Sequence, residues 1–219
     1  MFWKYNWGNM MKIVGICGSP REGASEYLLK RALNELEKED SFETTFISVK
    51  DKDISPCTHC NECAKTKGKC SISDDMDEIY KALKEADGII MASPIHFGSI
   101  SAQLKAVIDR CQAMIMEDLD IFKNKVGISI VVGGDRSGGQ ELAIQQINTF
   151  YLLNKIIPLS GGSFGANLGA CLWSQDDGAE GVKEDEYGLK TLDMTISHFK
   201  EFLLEYKSWW GFIEKVFLI

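Results

Sequence analysis

The chain has 219 residues, 45% of them apolar and 26% charged, with 24 lysines and arginines against 32 aspartates and glutamates for a net charge of −8. This composition supports one soluble core and excludes a collagen repeat, a low-complexity chain and a disordered acidic tail. No apolar run approaches the ~18 residues of a membrane-spanning helix, the start MFWKYNWGNM lacks the apolar centre of a secretory signal, and the acidic balance argues against bulk nucleic-acid or anionic-membrane binding.

In chain order, strand-like and helix-like segments alternate. Lys12–Cys17 (KIVGIC) is an apolar run ending at glycine and serine, as a buried strand does. Residues 25–39 put Leu28, Leu29, Ala32, Leu33 and Leu36 on one helical face. Phe42–Val49 predicts a second strand, and residues 54–73 then break the pattern with four cysteines. Asp74–Lys84 predicts a helix with Asp74, Asp75 and Asp77 near its positive end. Asp87–Ala92 predicts a third strand, Ser101–Met116 one helix, Val126–Val132 a fourth strand, Gly138–Leu153 a helix and Ile156–Leu159 a short fifth strand. After a loop over 160–185, Leu192, Ile196, Phe199, Leu203 and Tyr206 mark a last helix. No Pro, Gly or Ser linker divides the chain, so 1–219 reads as one α/β domain: an open parallel sheet of five strands covered on both faces. Ligands of such sheets lie beyond the carboxyl ends of the strands.

Three loops leave that edge. The first, Gly18-Ser19-Pro20-Arg21-Glu22-Gly23-Ala24-Ser25, runs into a helix whose first N–H groups are unpaired and suit a phosphate. Ser19 and Ser25 offer hydroxyls and Arg21 a charge. The spacing is neither a G-x-G-x-x-G fingerprint nor a Walker loop, a tight turn capped by Ser25 is the alternative, and Glu26 must point away from any anion. The second loop, Ser93-Pro94-Ile95-His96-Phe97-Gly98-Ser99, is restrained at Pro94 and open to close approach at Gly98. Its amides and side chains suit a flat ring, while His96 reads equally as a hydrogen-bonded loop histidine. The third, Gly133-Gly134-Asp135-Arg136-Ser137-Gly138-Gly139, holds four glycines, and Arg136 reads as a solvated loop residue.

These stretches resemble the iron–sulfur flavoprotein family, a branch of the flavodoxin-like NAD(P)H-dependent FMN reductases. The resemblance rests on GSPREGAS at 18–25, CTHCNECAKTKGKC at 57–70, SPIHFGSISAQLKAVIDR at 93–110, GGDRSGGQE at 133–141 and DDGAEGVKEDEYG at 176–188, and covers about 12–206. It implies a flavodoxin-like sheet of order 2-1-3-4-5 with FMN at the switch point and the cysteines in an insertion, 54–73, after strand two. Ser19, Arg21, Gly23 and Ser25 match the phosphate loop, and Pro94, Ile95, His96, Phe97 and Gly98 the isoalloxazine loop, with Gly133, Gly134 and Gly139 nearby. Relatives carry Asn-Thr or Asn-Ser where this chain has Ala24-Ser25, a departure that removes one amide from the phosphate contacts.

Four of the seven cysteines, Cys57, Cys60, Cys63 and Cys70, follow C-x2-C-x2-C-x6-C. An odd count with this clustering argues against a secreted disulfide framework and for a reducing compartment, the cytoplasm. Three thiolates within seven residues can wrap a small inorganic core and Cys70 can close it, which points to one [4Fe–4S] cluster. Zinc prefers two separated C-x2-C pairs; zinc and an empty site remain the alternatives. Lys65, Lys67 and Lys69 either offset cluster charge or form a solvated turn. Cys17, Cys111 and Cys171 read as buried hydrophobes, and the acidic residues 176–186 as a solvated face.

A flavin takes two electrons together and a cluster one at a time, so the expected function is an FMN-dependent oxidoreductase moving electrons between a one-electron carrier such as ferredoxin and a small-molecule acceptor. An NAD(P)H-dependent FMN or quinone reductase with a structural or empty cysteine site, and a non-enzymatic electron carrier or redox sensor, are the alternatives. The resemblance implies a homo-oligomer, dimer or tetramer. The aromatic start (Phe2, Trp3, Tyr5, Trp7) and the apolar tail 208–219 are expected at its interfaces.

Overall fold

The computed structural model describes the backbone of residues 10–217 and the side chains of 10–206; the aromatic start and the tail side chains, with the docking role expected of them, lie outside the described residues. The elements are β1 (Met11–Cys17), α1 (Ala24–Leu36), β2 (Phe42–Ser48), α2 (Glu62–Lys65), α3 (Met76–Glu85), β3 (Gly88–His96), β4 (Ser99–Ile100), α4 (Ala102–Arg110), α5 (Gln112–Glu117), β5 (Val126–Gly133), α6 (Gln140–Leu153), β6 (Ile157–Leu159), β7 (Ala170–Trp173), α7 (Gly178–Lys183) and α8 (Glu186–Phe217).

The sheet has seven strands, not five. Its path is β2-β1-β3-β5-β6, parallel throughout, with β4 antiparallel to β3 and β7 parallel to β5. Two local events account for the difference. β3 runs on through Pro94 to His96 and folds back into β4, which pairs Ile95 with Ile100 and His96 with Ser99. The outer strand comes in two pieces on one side of β5: β6 beside Val126–Ile128 and β7 beside Ile130–Gly133. Residues 160–169 form the excursion between them.

β1 and β5 are buried almost end to end, as parallel strands between two layers must be. One core lies under α1 and α8, where Leu28, Leu29, Leu33, Phe199 and Leu203 meet Ile13, Ile90 and Ile128. The other lies under α3, α4 and α6, where Ile79, Leu83, Leu104, Val107, Ile147 and Tyr151 meet Val14, Ile16, Ile89 and Met91. Two helices stand where one was expected: α4 stops at Arg110 and α5 restarts at Gln112, with Cys111 between them. The last helix begins at Glu186, ahead of its first apolar stripe residue.

Candidate functional site

At the carboxyl edge the three loops come together around two small residues. Gly18 donates its N–H to Ala92 O at 2.8 Å, and a Cβ on it would fall 2.6 Å from Leu104 Cβ. Buried Ser101 caps α4, accepting from Leu104 N at 3.1 Å while its hydroxyl donates to Gly18 O at 2.6 Å. Ser93 Oγ accepts from Ser101 N at 3.0 Å, so the first two loops are braced through one helix cap. On the other side a Cβ on Gly139 would fall 2.6 Å from Gly98 Cα, so the second and third loops touch backbone to backbone.

In the first loop Ser19 and Ser25 are buried and Arg21 is exposed. Ser19 Oγ donates to Arg21 O at 2.6 Å, which folds the loop over the start of α1. Gly23 occupies the N-cap without a side-chain partner, so the first amides of this 13-residue helix face the loop uncapped. Glu26 pairs with Lys30 at 2.5 Å. The arrangement can hold a dianionic phosphate by backbone N–H, hydroxyl and guanidinium.

The second loop is a tight hairpin, not an irregular turn. Phe97 (φ 50) and Gly98 (φ 76) both have positive φ, the signature of a two-residue primed turn. Phenylalanine is a poor residue for that conformation. The strain holds its ring fully exposed at the tip of the edge, beside exposed His96 and half-buried Pro94 and Ile95.

The third loop is tied down by two residues that sequence reasoning missed. Trp173 donates from Nε1 to Gly134 O at 2.5 Å, and the Arg136 guanidinium lies over its ring at 4.7 Å. Asp185 accepts from Trp173 N at 2.8 Å, from Gly188 N at 3.1 Å and from Arg136 at 2.9 Å. Asp185 is buried, which corrects the reading of 176–186 as a solvated face. Its place in an acidic run hid it.

The cysteine segment closes on itself between β2 and α3. Asp53 N donates to Asp75 Oδ2 at 2.7 Å and Ser55 N to Asp74 Oδ2 at 3.0 Å, so its two ends are clasped. A Cβ on Gly68 would fall 2.5 Å from Glu117 Cβ, so the segment lies flat on α5. His59, Asn61 and Lys67 have positive φ, so the backbone of the segment turns sharply at three points. His59 N points at Cys57 Sγ at 3.4 Å, and the Ser71 hydroxyl, 3.2 Å from Cys60 Sγ, lowers the Cys60 thiol pKa. All four cysteines line one small pocket. By contrast burial pushes Cys17 and Cys111, both in the core, up to about 11 and about 12, and Cys171, only partly buried against the expectation, up to about 11.

The pocket's inner wall is Arg110, at the end of α4. Its guanidinium donates to Asp74 at 2.6 and 3.0 Å, to Ser55 O at 2.8 Å and to Ile72 O at 3.2 Å. Burial tends to raise the Asp74 pKa, but Arg110 and the N–H groups of Ser55 and Met76 bring it below the usual carboxylate value. Thus Asp74 is the base of the cysteine segment and not part of a helix's first turn.

The family model described as NADPH-dependent FMN reductase matches residues 11–170. An iron–sulfur flavoprotein of Archaeoglobus fulgidus is 59% identical over 191 residues, covering 87% of this chain and 96% of that protein. One from Methanocaldococcus jannaschii is 46% identical over 195 residues, covering 89% of this chain and 98% of that protein. The chain belongs to the iron–sulfur flavoprotein family. In fold it is similar to the apo form of an NADH:FMN oxidoreductase, EmoB, with a TM-score of 0.63 at 21% identity over 87% of this chain and 89% of that one.

For an iron–sulfur flavoprotein the donor set of the cysteine pocket is well matched. Among the described residues no three His, Cys, Asp or Glu side chains converge closely enough to hold a single metal ion. The four thiols line one pocket, a donor set of sulfurs that suits iron or zinc alike. Arg110 Nε, fully buried on that wall, is without a partner among the described residues. No helix among the described residues is long and apolar enough to cross a membrane.

Proposed function

We propose that the chain binds FMN at the carboxyl edge and one [4Fe–4S] cluster at Cys57, Cys60, Cys63 and Cys70. In this reading it is an oxidoreductase of the cytoplasm that passes electrons between a one-electron carrier such as ferredoxin and a small-molecule acceptor. The observation that carries the reading is the pocket of four thiols at the far end of α4, the helix whose own start is braced into the FMN loops. A bound flavin and cluster supply paired and single electron transfer respectively. The chain's own residues do the rest. The α1 amides, Ser19, Ser25 and Arg21 fix the phosphate; Pro94 to Gly98 and the backbone of Gly133, Gly134 and Gly139 bound the ring; the four thiolates hold the iron.

The same reading assigns the cysteine segment to an inserted role, since the clasp of Asp53 and Ser55 on Asp74 and Asp75 makes 54–73 a closed unit. It also favours a homo-oligomer, in which exposed Phe97 and Phe164 are covered by a second copy.

Anaerobically purified protein, with iron, sulfide and flavin counted together, tests the assignment. About four irons and four sulfides per FMN is the expected result. One zinc and no iron, or turnover of NAD(P)H with each Cys→Ala variant as active as the parent, favours the reductase with a structural metal.

A further inference from the structure

Arg110 Nε is a buried N–H without an acceptor among the described residues, in a side chain only 1% exposed. Buried donors are almost always paired, so this one needs an explanation. The orientation of the guanidinium supplies it. Asp74 spans the end of the group, bonding Nη1 and Nη2 together, and the outer hydrogen of Nη1 goes to Ser55 O. What remains is the Nη2–Nε edge. Nη2 uses it to reach Ile72 O at 3.2 Å, and Cys70, Ile72 and Arg110 line the same pocket, so the free Nε–H lies on the edge of the guanidinium that is turned to this stretch of chain.

A neutral thiol is a poor acceptor and a ligated thiolate a good one. Resting on the cluster reading above, we infer that Arg110 is a positioning residue of that site, whose Nε–H donates a charge-assisted hydrogen bond to the Cys70 thiolate when the pocket is loaded. Its other four hydrogen bonds hold the two ends of the segment, Ser55 and Ile72–Asp74, in place for this contact. A donor on a ligand sulfur favours the more negative, reduced state and raises the reduction potential.

The test compares Arg110→Lys, Arg110→Gln and Asp74→Asn in the full-length, iron-loaded protein. Arg110→Lys keeps the charge and loses the Nε–H. It is expected to hold FMN as the parent does, while at fixed potential the oxidised-to-reduced ratio of the iron centre rises about tenfold, a fall of about 59 mV for one electron. Arg110→Gln is expected to shift in the same direction. Asp74→Asn spares the Nε–H and removes a negative charge, so it is expected to lower the denaturation midpoint without the fall in potential seen for Arg110→Lys, which separates contact from scaffold. Pulsed EPR of the reduced parent, labelled with ¹⁵N-arginine, is expected to show one nitrogen coupling that Arg110→Lys abolishes. This readout decides the matter even where variants fail to fold. Iron-loaded parent without that coupling, or Arg110→Lys with the parent's potential, overturns the inference and leaves the cluster reading standing. Parent protein that takes no iron overturns both.

Discussion

Gly139 and Gly98 stand so close that a Cβ on the first would lie 2.6 Å from the Cα of the second. Backbone packed on backbone joins the hairpin after β3 to the loop after β5, and Gly139 also has φ 102, a conformation that favours glycine. Gly139→Ala is therefore expected to cost about 2–4 kcal/mol and to weaken FMN binding by pushing the hairpin aside. Gly98→Ala has positive φ but open space around it, and its cost is expected to be only about 1 kcal/mol. Denaturant midpoints with flavin fluorescence titration give the order of the two.

Gly23 separates a phosphate role from a folding role. A Cβ there meets nothing within 4 Å and its φ of 163 is ordinary extended backbone, so Gly23→Ala is expected to leave stability within about 0.5 kcal/mol. Arg21 is exposed and its side chain is equally dispensable to the fold. Arg21→Ala is expected to weaken FMN about 10- to 100-fold, the range of a lost charge-assisted hydrogen bond, with little change in melting temperature. Equal FMN affinity for Arg21→Ala and parent rules out the phosphate contact.

Asp185 and Arg136 share one ion pair with unequal consequences. Asp185→Ala leaves the N–H groups of Trp173 and Gly188 without their acceptor in a buried place, and about 3 kcal/mol is expected to be lost. Arg136, with half its side chain in water, is expected to cost under about 1 kcal/mol when changed to Ala. In the Asp185 variant, limited proteolysis is expected to cut within 134–139 before the rest of the chain.

Lys125 sets a pH dependence. Burial brings its pKa down from 10.5 to about 8, against the opposing charge of Asp87, while its amine donates to Lys84 O and Ala86 O. Between about pH 8 and 10.5 the unfolded chain binds more protons than the folded one, so this group adds stability as pH rises through that window. Below it the charged buried amine opposes folding by roughly 3 kcal/mol. The denaturation midpoint of parent relative to Lys125→Met is expected to climb from pH 7 to pH 10. A flat difference would show that Lys125 titrates normally.

The layers were legible because buried parallel strands are continuous apolar runs and the helices over them carry stripes: β1, β5, α1 and α6 need no more than that. What escaped depends on partners distant in sequence. β7 has only four residues, and it becomes a strand because β5 continues past β6 and leaves Ile130–Gly133 to be paired. The hairpin at Phe97 was hidden because nothing about phenylalanine signals positive φ. The loop glycines and cysteines announced themselves by composition and spacing. Arg110, Asp74, Ser101 and Asp185, which hold those loops and the cysteine segment in place, did not, since a buried polar residue is recognisable only once its acceptor or donor is known.

The broken outer strand has a bearing on how copies of this protein can meet. A sheet recruits a neighbour's strand along an uninterrupted row of free N–H and C=O groups. On the β5 side that row is cut into pieces of three and four residues by the 160–169 excursion. Among the described residues only β2, at the opposite margin, offers seven residues in register, and exposed Glu43 and Thr45 lie on it. Extension of the sheet from one molecule to the next is thereby barred on one side and made unattractive on the other, which leaves helix faces and loop tips as the surfaces through which an ordered assembly can grow without passing into a fibre.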